Sequence, residues 1–308
     1  MQIAIQMDHP ARLNPATDTS CMLIEEAAKR GHTVYFYEAP MLSWREGTLT
    51  APLAPITLDF SQTPCWQLGE AVRRPLAEMN VVLMRQDPPF DMGYITATHL
   101  LEQLPPEVLV LNNPEGVRNA PEKLSSLAFA RFMPPTLISL DSAEIHAFIK
   151  SCGNVVAKPL YGYGGRGVFK LAAGDSNIDT LLEQWSEQSR EPLMWQQFLP
   201  EVARDDKRIL FINGKVEAVF GRVPMEGSIR ANMRVGGAPV AATLTPKQEE
   251  ICAALAPFLI AEGLVLAGID VIGDWLTEIN VTSPTGLRAA EKLYGKNLAA
   301  LFWDGVGA

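Results

Sequence analysis

Residues 270–280 read D-V-I-G-D-W-L-T-E-I-N, and the fold turns on how this stretch is read. Two apolar, β-branched runs flank Gly273-Asp274, a pattern that predicts a β-hairpin. Three hard-oxygen side chains sit on it, Asp270, Glu278 and Asn280. Glu278 and Asn280 are two positions apart, so in a strand they share a face. The side taken by Asp270 depends on the turn. A loop of Gly273-Asp274 alone sets Asp270 opposite Thr277, facing away from Glu278. A loop that also takes in Trp275 sets Asp270 opposite Glu278, and the oxygens then converge as a magnesium site requires. The metal reading therefore demands the three-residue loop. An ordinary polar-edged hairpin demands neither.

Upstream, Asn213-Gly214 joins two further apolar runs, 208–212 and 215–222, and predicts a second hairpin. Arg208 and Arg222 lie on its two strands, where both can face one cleft and grip phosphate or carboxylate; a salt-bridged sheet face is the plainer reading. Arg230 and Arg234 belong to residues 224–239, a stretch without periodicity that reads as a long loop. Residues 158–169 read K-P-L-Y-G-Y-G-G-R-G-V-F. Gly162, Gly164, Gly165 and Gly167 let the backbone approach a ligand and aim N–H groups at an anion. No G-K-[ST] follows, and a strand follows where a dinucleotide fingerprint needs a helix. A glycine loop between two strands, beside Lys158, suits a flap over phosphates. Gln197, Phe198 and Leu199 offer backbone donors and an apolar wall to a flat ring, although a core strand end is the plainer reading. Lys123, alone, reads as a solvated charge.

In the first third, residues 2–7, 33–37, 81–85 and 108–111 predict strands, and 19–30 and 94–103 predict helices. This alternation implies a small parallel sheet covered by helices. Arg85 ends one of those strands, where open α/β sheets place ligands, and Pro88-Pro89 stiffen the following loop. A structural ion pair is the alternative. Residues 39–75, rich in Pro, Thr and Gln, carry no clear pattern. From about Pro114 the chain mixes helices, at 122–132, 142–150, 178–189, 246–262 and beyond 287, with antiparallel hairpins. That is an α+β layout following an α/β one.

Composition narrows the function. The formal net charge of −9 argues against nucleic-acid or anionic-membrane partners. No apolar run reaches membrane-spanning length. The first residues lack the basic start and apolar core of a secretory leader, so a cytoplasmic protein is expected. Cys21, Cys65, Cys152 and Cys252 have no C-x-x-C spacing and read as reduced thiols. The four histidines show no ligand spacing, and no Ser or Cys sits in a nucleophile motif.

Several strings together carry a resemblance: V-V-L-M-R-Q-D-P-P-F-D, V-V-A-K-P-L-Y-G-Y-G-G-R-G-V, D-K-R-I-L, R-A-N-M-R-V-G-G and G-I-D-V-I-G-D-W-L-T-E-I-N-V-T-S-P-T-G. In order, they resemble bacterial glutathione synthetases of the ATP-grasp superfamily. The resemblance implies an N-terminal α/β domain over residues 1–115 and an ATP-grasp domain over 116–308, with a lid subdomain at about 124–200. It implies ATP and two Mg2+ ions, with Mn2+ as a substitute, and the substrates γ-glutamylcysteine and glycine, joined through an acyl phosphate. It further implies a homotetramer. Lys123 and Lys158 match the lysines that reach nucleotide phosphates, 162–167 the flap, and Gln197, Phe198 and Leu199 the adenine-binding hinge. Asp270, Glu278 and Asn280 match the metal ligands. Arg208, Arg222, Arg230 and Asn232 match positions at the reacting phosphate. Arg85, Ser283, Thr285 and Gly286 match the peptide end of the cleft. The glycine flap and loop 224–239 are the lids such chemistry needs, both expected to be poorly ordered without ligands. Met233 and Arg234 depart from the smaller residues of some members, which touches substrate detail more than reaction type. A ligase with a different acceptor, or a nucleotide-binding module without turnover, fits the same motifs less fully. A nicotinamide oxidoreductase fits least, because the turn after the first strand lacks the glycine fingerprint.

Overall fold

The structure is a computed structural model that describes residues 1–223 and 238–307. Three sheets follow one another along the chain. The first is eight-stranded and mixed. Its core is parallel: Gln2–Gln6 pairs with both Thr33–Tyr37 and Val81–Met84, and the latter pairs with Leu109–Leu111. The expected β-α-β alternation is thus present. The stretch 39–75 supplies what the sequence left blank, four antiparallel strands that extend the sheet around the long strand Thr48–Leu58. Pro52 and Pro55 inside that strand disguised it, because proline removes a ladder donor.

The second sheet is four-stranded and antiparallel. Asn154–Pro159 pairs with Phe169–Ala172 across the glycine loop, as expected, and with Leu193–Gln197 on its other side. Helices Ser142–Cys152 and Asn177–Gln188 cover one face, burying Ile145, Ile149 and Ile178 against Val155, Ala157 and Trp195. Just before this sheet the expected helix at 122–132 is instead a 3-10 segment, Ser125–Phe132, with a kink at Phe129. Its start is held by Ser126, whose hydroxyl donates to the Lys123 carbonyl at 2.5 Å.

The third sheet is five-stranded and antiparallel, with Asp206–Ile212 at its centre between Lys215–Val223 and Leu266–Ile272, and Trp275–Asn280 at one edge. Strand periodicity, reset by register shifts after Leu210 and after Asp270, divides its residues between two faces. One face carries Ile209, Phe211, Ile269, Val271, Leu276 and Ile279, packed on Ile251, Leu255 and Leu259 of helix Pro246–Ala261. That helix starts on a capping box between Thr245 and Gln248. The other face is apolar only at one end. There Leu210, Ile212, Ala218, Phe220 and Leu266 join Leu287, Leu298 and Phe302 of the C-terminal helices and the parallel strands of the first sheet. At its other end the same face carries Asp206, Arg208, Arg222, Asp270 and Glu278. Burying each large apolar side chain contributes about 1.5–3 kcal/mol, so the packed end anchors the sheet while the charged end stays open as a cleft.

Among the described residues no helix is long and apolar enough to cross a membrane.

Candidate functional site

The hairpin 270–280 is where expectation and structure part. Ile272 pairs with Trp275, so the turn is Gly273-Asp274 alone, with Gly273 at φ 58°. The three-residue loop is therefore wrong. Yet Asp270 still lies opposite Glu278, and Gly268 opposite Asn280. A β-bulge achieves this: the register shifts after Asp270, and Thr277 is the extra residue. Its hydroxyl turns back to donate to the Asp270 carbonyl at 3.1 Å. Convergence of the oxygens was legible from the residue types, whereas the device that produces it was not.

Arg208 lies opposite Asp270 on the neighbouring strand. Its guanidinium grips that carboxylate at both oxygens, Nε to Oδ1 at 2.5 Å and Nη2 to Oδ2 at 3.0 Å. Arg222 donates to Asp270 Oδ2 at 3.1 Å and to Asp206 Oδ1. Four buried charges of alternating sign thus form one network, and only Asp206 was absent from the residues singled out by sequence. Its two-residue spacing from Arg208 was the available signal. Burial raises the Asp270 carboxyl, but Arg208 and Arg222 outweigh it and hold the group down to about 2.

A cavity of about 210 Å³ opens above this network. Asp206, Arg208, Arg222, Asp270, Glu278 and Asn280 form its floor, Lys158 one wall, and Tyr163, Gly164 and Gly165 of the glycine loop its roof. Gly164, Gly165 and Gly167 have φ of 64°, 72° and 67°, conformations that L side chains rarely adopt. A Cβ on Gly167 would also come within 2.9 Å of Pro159. Lys158 is buried and donates to Gln196 Oε1 at 2.8 Å; burial lowers its pKa. Lys123 sits behind the cavity, donating to the Gly162 carbonyl at 2.6 Å and pairing with Glu278 at 3.4 Å. It is therefore a buried tie between flap and floor, not the solvated charge it resembles in isolation.

Ser283 and Thr285 line the cavity, and Gly286 does not. Gly286 holds φ 124° at the start of helix Leu287–Tyr294, and a Cβ there would meet Phe220 at 2.8 Å. Arg85 also lies outside the cavity. It is buried, donating to Ser20 Oγ at 3.2 Å and to the Pro284 carbonyl at 3.0 Å, so it holds the 283–286 loop from behind. Gln197, Phe198 and Leu199 carry the chain from the second sheet to the third, off the cavity lining. The N–H groups of Gln197 and Phe198 are committed to the Pro135 and Asn154 carbonyls. Arg230, Asn232 and Arg234 lie outside the described residues, as does the candidate lid 224–239 apart from its last two positions.

Could these residues hold a magnesium ion? The donors are hard oxygens, as it prefers. Glu278 is one-quarter exposed at the cavity. The Asn280 amide nitrogen is buried without a hydrogen-bond partner among the described residues, and its carbonyl oxygen is the atom a magnesium ion would take. Asp270 has three of its roughly four acceptor positions taken by arginine. Among the described residues no three His, Cys, Asp or Glu cluster as a metal cage. Magnesium is commonly held by one or two carboxylates together with substrate phosphates, so this donor set fits an ion that arrives with a nucleotide.

Glu122 is a residue the sequence did not flag. It lines the cavity and accepts from the Thr282 hydroxyl at 2.8 Å. Burial first, then the charge of Glu278, pushes it up to about 7, against opposing pulls from Lys123 and Thr282. The folded chain thus keeps a proton that the unfolded chain releases near 4.5, so stability falls as pH rises from about 4.5 through about 7. Glu122→Gln is expected to stabilise the protein at pH 8, by at most about 3 kcal/mol, and to change little at pH 4. Thermal melts at the two pH values check this; an equal shift at both would remove the assignment.

Comparison with known proteins bears on this arrangement. The family model for the N-terminal domain of prokaryotic glutathione synthetase matches residues 1–118, and the model for its ATP-grasp domain matches residues 122–295. The chain is 49% identical to a glutathione synthetase of Brucella melitensis, covering 100% of this chain and 99% of that one. It is 40% identical to one of Thermosynechococcus vestitus, covering 97% of each. Among solved structures it is similar in fold to a RimK-domain ATP-grasp protein of Sphaerobacter thermophilus (TM-score 0.67, 18% identity, 99% of both chains). It is likewise similar to a D-cycloserine synthetase (TM-score 0.67, 15% identity, 99% of this chain and 98% of that one).

Proposed function

The chain belongs to the prokaryotic glutathione synthetase family, and from that premise we propose how the residues of the cleft share the work. The enzyme is an ADP-forming ligase that joins γ-glutamylcysteine and glycine to make glutathione at the expense of ATP. ATP and magnesium binding are general to ATP-grasp enzymes. The observation that supports this residue assignment best is the single charged sheet face, with Asp270 brought opposite Glu278, beneath a glycine loop.

In the first step a cysteinyl carboxylate oxygen attacks the γ-phosphorus of ATP. An O–P bond forms, the bond to the β–γ bridging oxygen breaks, and ADP leaves. In the second step the glycine amine attacks the carbonyl carbon of the acyl phosphate, loses a proton and expels inorganic phosphate. Phosphoryl transfer of this kind asks for alignment and charge neutralisation rather than a covalent catalyst. Lys123 and Lys158 neutralise nucleotide phosphates, and Gln197 to Leu199 border the adenine. Arg208 and Arg222 face the transferring group, with Arg230 and Asn232 assigned there by family resemblance. Glu278, Asn280 and Asp270 would hold the metal, which when bound supplies positive charge to the phosphates. We assign two ions, with Mn2+ able to replace Mg2+. Ser283 and Thr285 contact the peptide, while Arg85 and Gly286 set the loop that bears them. Domains over 1–115 and 116–308 with a lid near 124–200, a homotetramer and a cytoplasmic location complete the proposal.

The test is ADP release with γ-glutamylcysteine and glycine, each omitted in turn. Sustained release over many turnovers is expected only with both present, because the first step alone ends at the acyl phosphate. Equal release without glycine would count against ligation.

A further inference from the structure

Phe90 and Tyr161 carry no role in the assignment above, yet they join the two sides of the cleft. Their rings stack with planes 15° apart and centroids 6.1 Å apart, inside the range of an offset aromatic pair. Phe90 belongs to the loop after Val81–Met84 and is 8% exposed, with a second ring contact to Tyr94 at 5.1 Å. Tyr161 begins the glycine loop and is half-buried. It packs against two apolar clusters at once, the main core that holds Phe90 and a small one of Met133, Leu160 and Met194. The space left between Pro88, Phe90, Pro121, Tyr161 and Gly162 is about 10 Å³, at most room for one water, so these segments pack closely.

Each ring stands next to residues that line the reaction cavity. Asp87 and Pro88 line it on one side, and Pro88-Pro89 stiffen the backbone up to Phe90, so that loop moves as one piece. Tyr163, Gly164 and Gly165 roof it on the other side, just beyond Tyr161. Gly162, between ring and roof, is tied to the floor through its carbonyl and Lys123 at 2.6 Å. The root of the glycine loop is therefore held at two points, by Lys123 from the floor and by Phe90 from the first sheet. The Lys123 bond involves no residue of the first sheet's loops. The ring pair does, and through it each loop biases the position of the other.

We propose that the Phe90–Tyr161 stack is a positioning contact that couples dipeptide binding to closure of the glycine loop over the nucleotide. The proposal rests on the ligase reading, in which peptide and nucleotide meet in the one cavity. A dipeptide that settles the loop at Asp87 and Pro88 also settles Phe90, and Tyr161 then has a fixed ring to stack on. A closed glycine loop does the reverse, because coupling between two sites is reciprocal. The gain is chemical: the acyl phosphate forms under a covered roof, with both reactants in place. Neither ring lines the reaction cavity, so both act through the loops that do.

Calorimetric binding of an ATP analogue with nitrogen at the β–γ bridge, with magnesium and with or without γ-glutamylcysteine, reads the coupling. In the wild type the dipeptide is expected to tighten the analogue about 2- to 10-fold, the range one aromatic pair supplies. Tyr161→Leu should bring that factor close to one and leave the analogue's affinity without dipeptide unchanged. A thermal melt should show this variant folded, because Tyr161 is only half-buried. Tyr161→Phe, which keeps the ring, should keep the coupling. Phe90→Leu should lose it, and the double variant should lose no more than either single one. Coupling unchanged in Tyr161→Leu, or lost in Tyr161→Phe, would overturn the proposal, and this pair decides alone if Phe90→Leu does not fold. Wild-type protein that releases ADP with γ-glutamylcysteine and glycine but shows no coupling would overturn this proposal only. Wild-type protein that releases none would overturn the ligase reading, and this proposal with it.

Discussion

Glu278→Gln is expected to cut turnover by about 10²–10³-fold while the protein stays folded. The two halves of that expectation have different grounds. Glu278 is the least buried acid of the charged sheet face, one-quarter accessible, with Lys123 at 3.4 Å as its ion-pair partner. Lys123 is buried, so losing this partner costs more than the roughly 0–1 kcal/mol of a surface pair, but Lys123 keeps its bond to the Gly162 carbonyl and Glu278 is itself partly hydrated. The melting temperature should therefore fall by only a few degrees, leaving the protein folded at the assay temperature. The chemistry should suffer far more, because glutamine keeps the shape and removes the charge that a magnesium ion would neutralise. ADP release measured across a magnesium titration, beside a thermal melt, checks both halves. The variant should need more magnesium and still fall short at saturation. Turnover within about threefold of wild type would move the metal site elsewhere.

How far the sequence foretold this site depends on which physical signal each part uses. Side-chain alternation is local, so the two strands joined by Asn213-Gly214 could be read directly. That Arg208 and Arg222 share a face could not, because counting from that turn sets Arg208 opposite Val219, and a register shift between Leu210 and Phe211 moves it opposite Phe220. Nor could the bulge at Thr277 be read. It leaves no compositional mark, and a two-residue turn with one extra residue in the strand gives the same facing as a three-residue turn. Arg85 illustrates a different limit. The end of a parallel strand is a sound place to look for a ligand group, but a guanidinium there can equally reach backward. Its bonds to Ser20 and Pro284 make it a support for the loop. Glu122 stayed hidden because its character comes from tertiary burial and from Glu278, far away in sequence. Prolines 52 and 55 hid the long strand for the opposite reason, a true local signal overridden by pairing on both sides.

Asp270→Asn should behave unlike Glu278→Gln, although the two residues face each other. Asp270 and Arg208 are each about 10% exposed, and Arg222 about 6%. Asparagine offers one acceptor oxygen where three guanidinium N–H groups now bond, and it turns an amide donor toward them. Two buried guanidiniums would then share only the Asp206 carboxylate. Removing one partner from such a buried network costs about 3–5 kcal/mol, because the remaining charges are left uncompensated. For a chain of this size that lowers Tm by on the order of 10 °C. The penalty should also depend on pH in a set direction. The arginines hold the wild-type carboxyl at about 2, below its unfolded value of 3.8. Its contribution is complete above about pH 4 and is lost as pH falls through about 2. Melts at pH 5 and 3 should therefore show a gap between wild type and variant that is narrower at the lower pH. A variant as stable as wild type at pH 7 would mean that the arginines do not depend on Asp270. The charged face would then be a surface arrangement rather than the buried support on which the half-buried Glu278 and Asn280 are positioned.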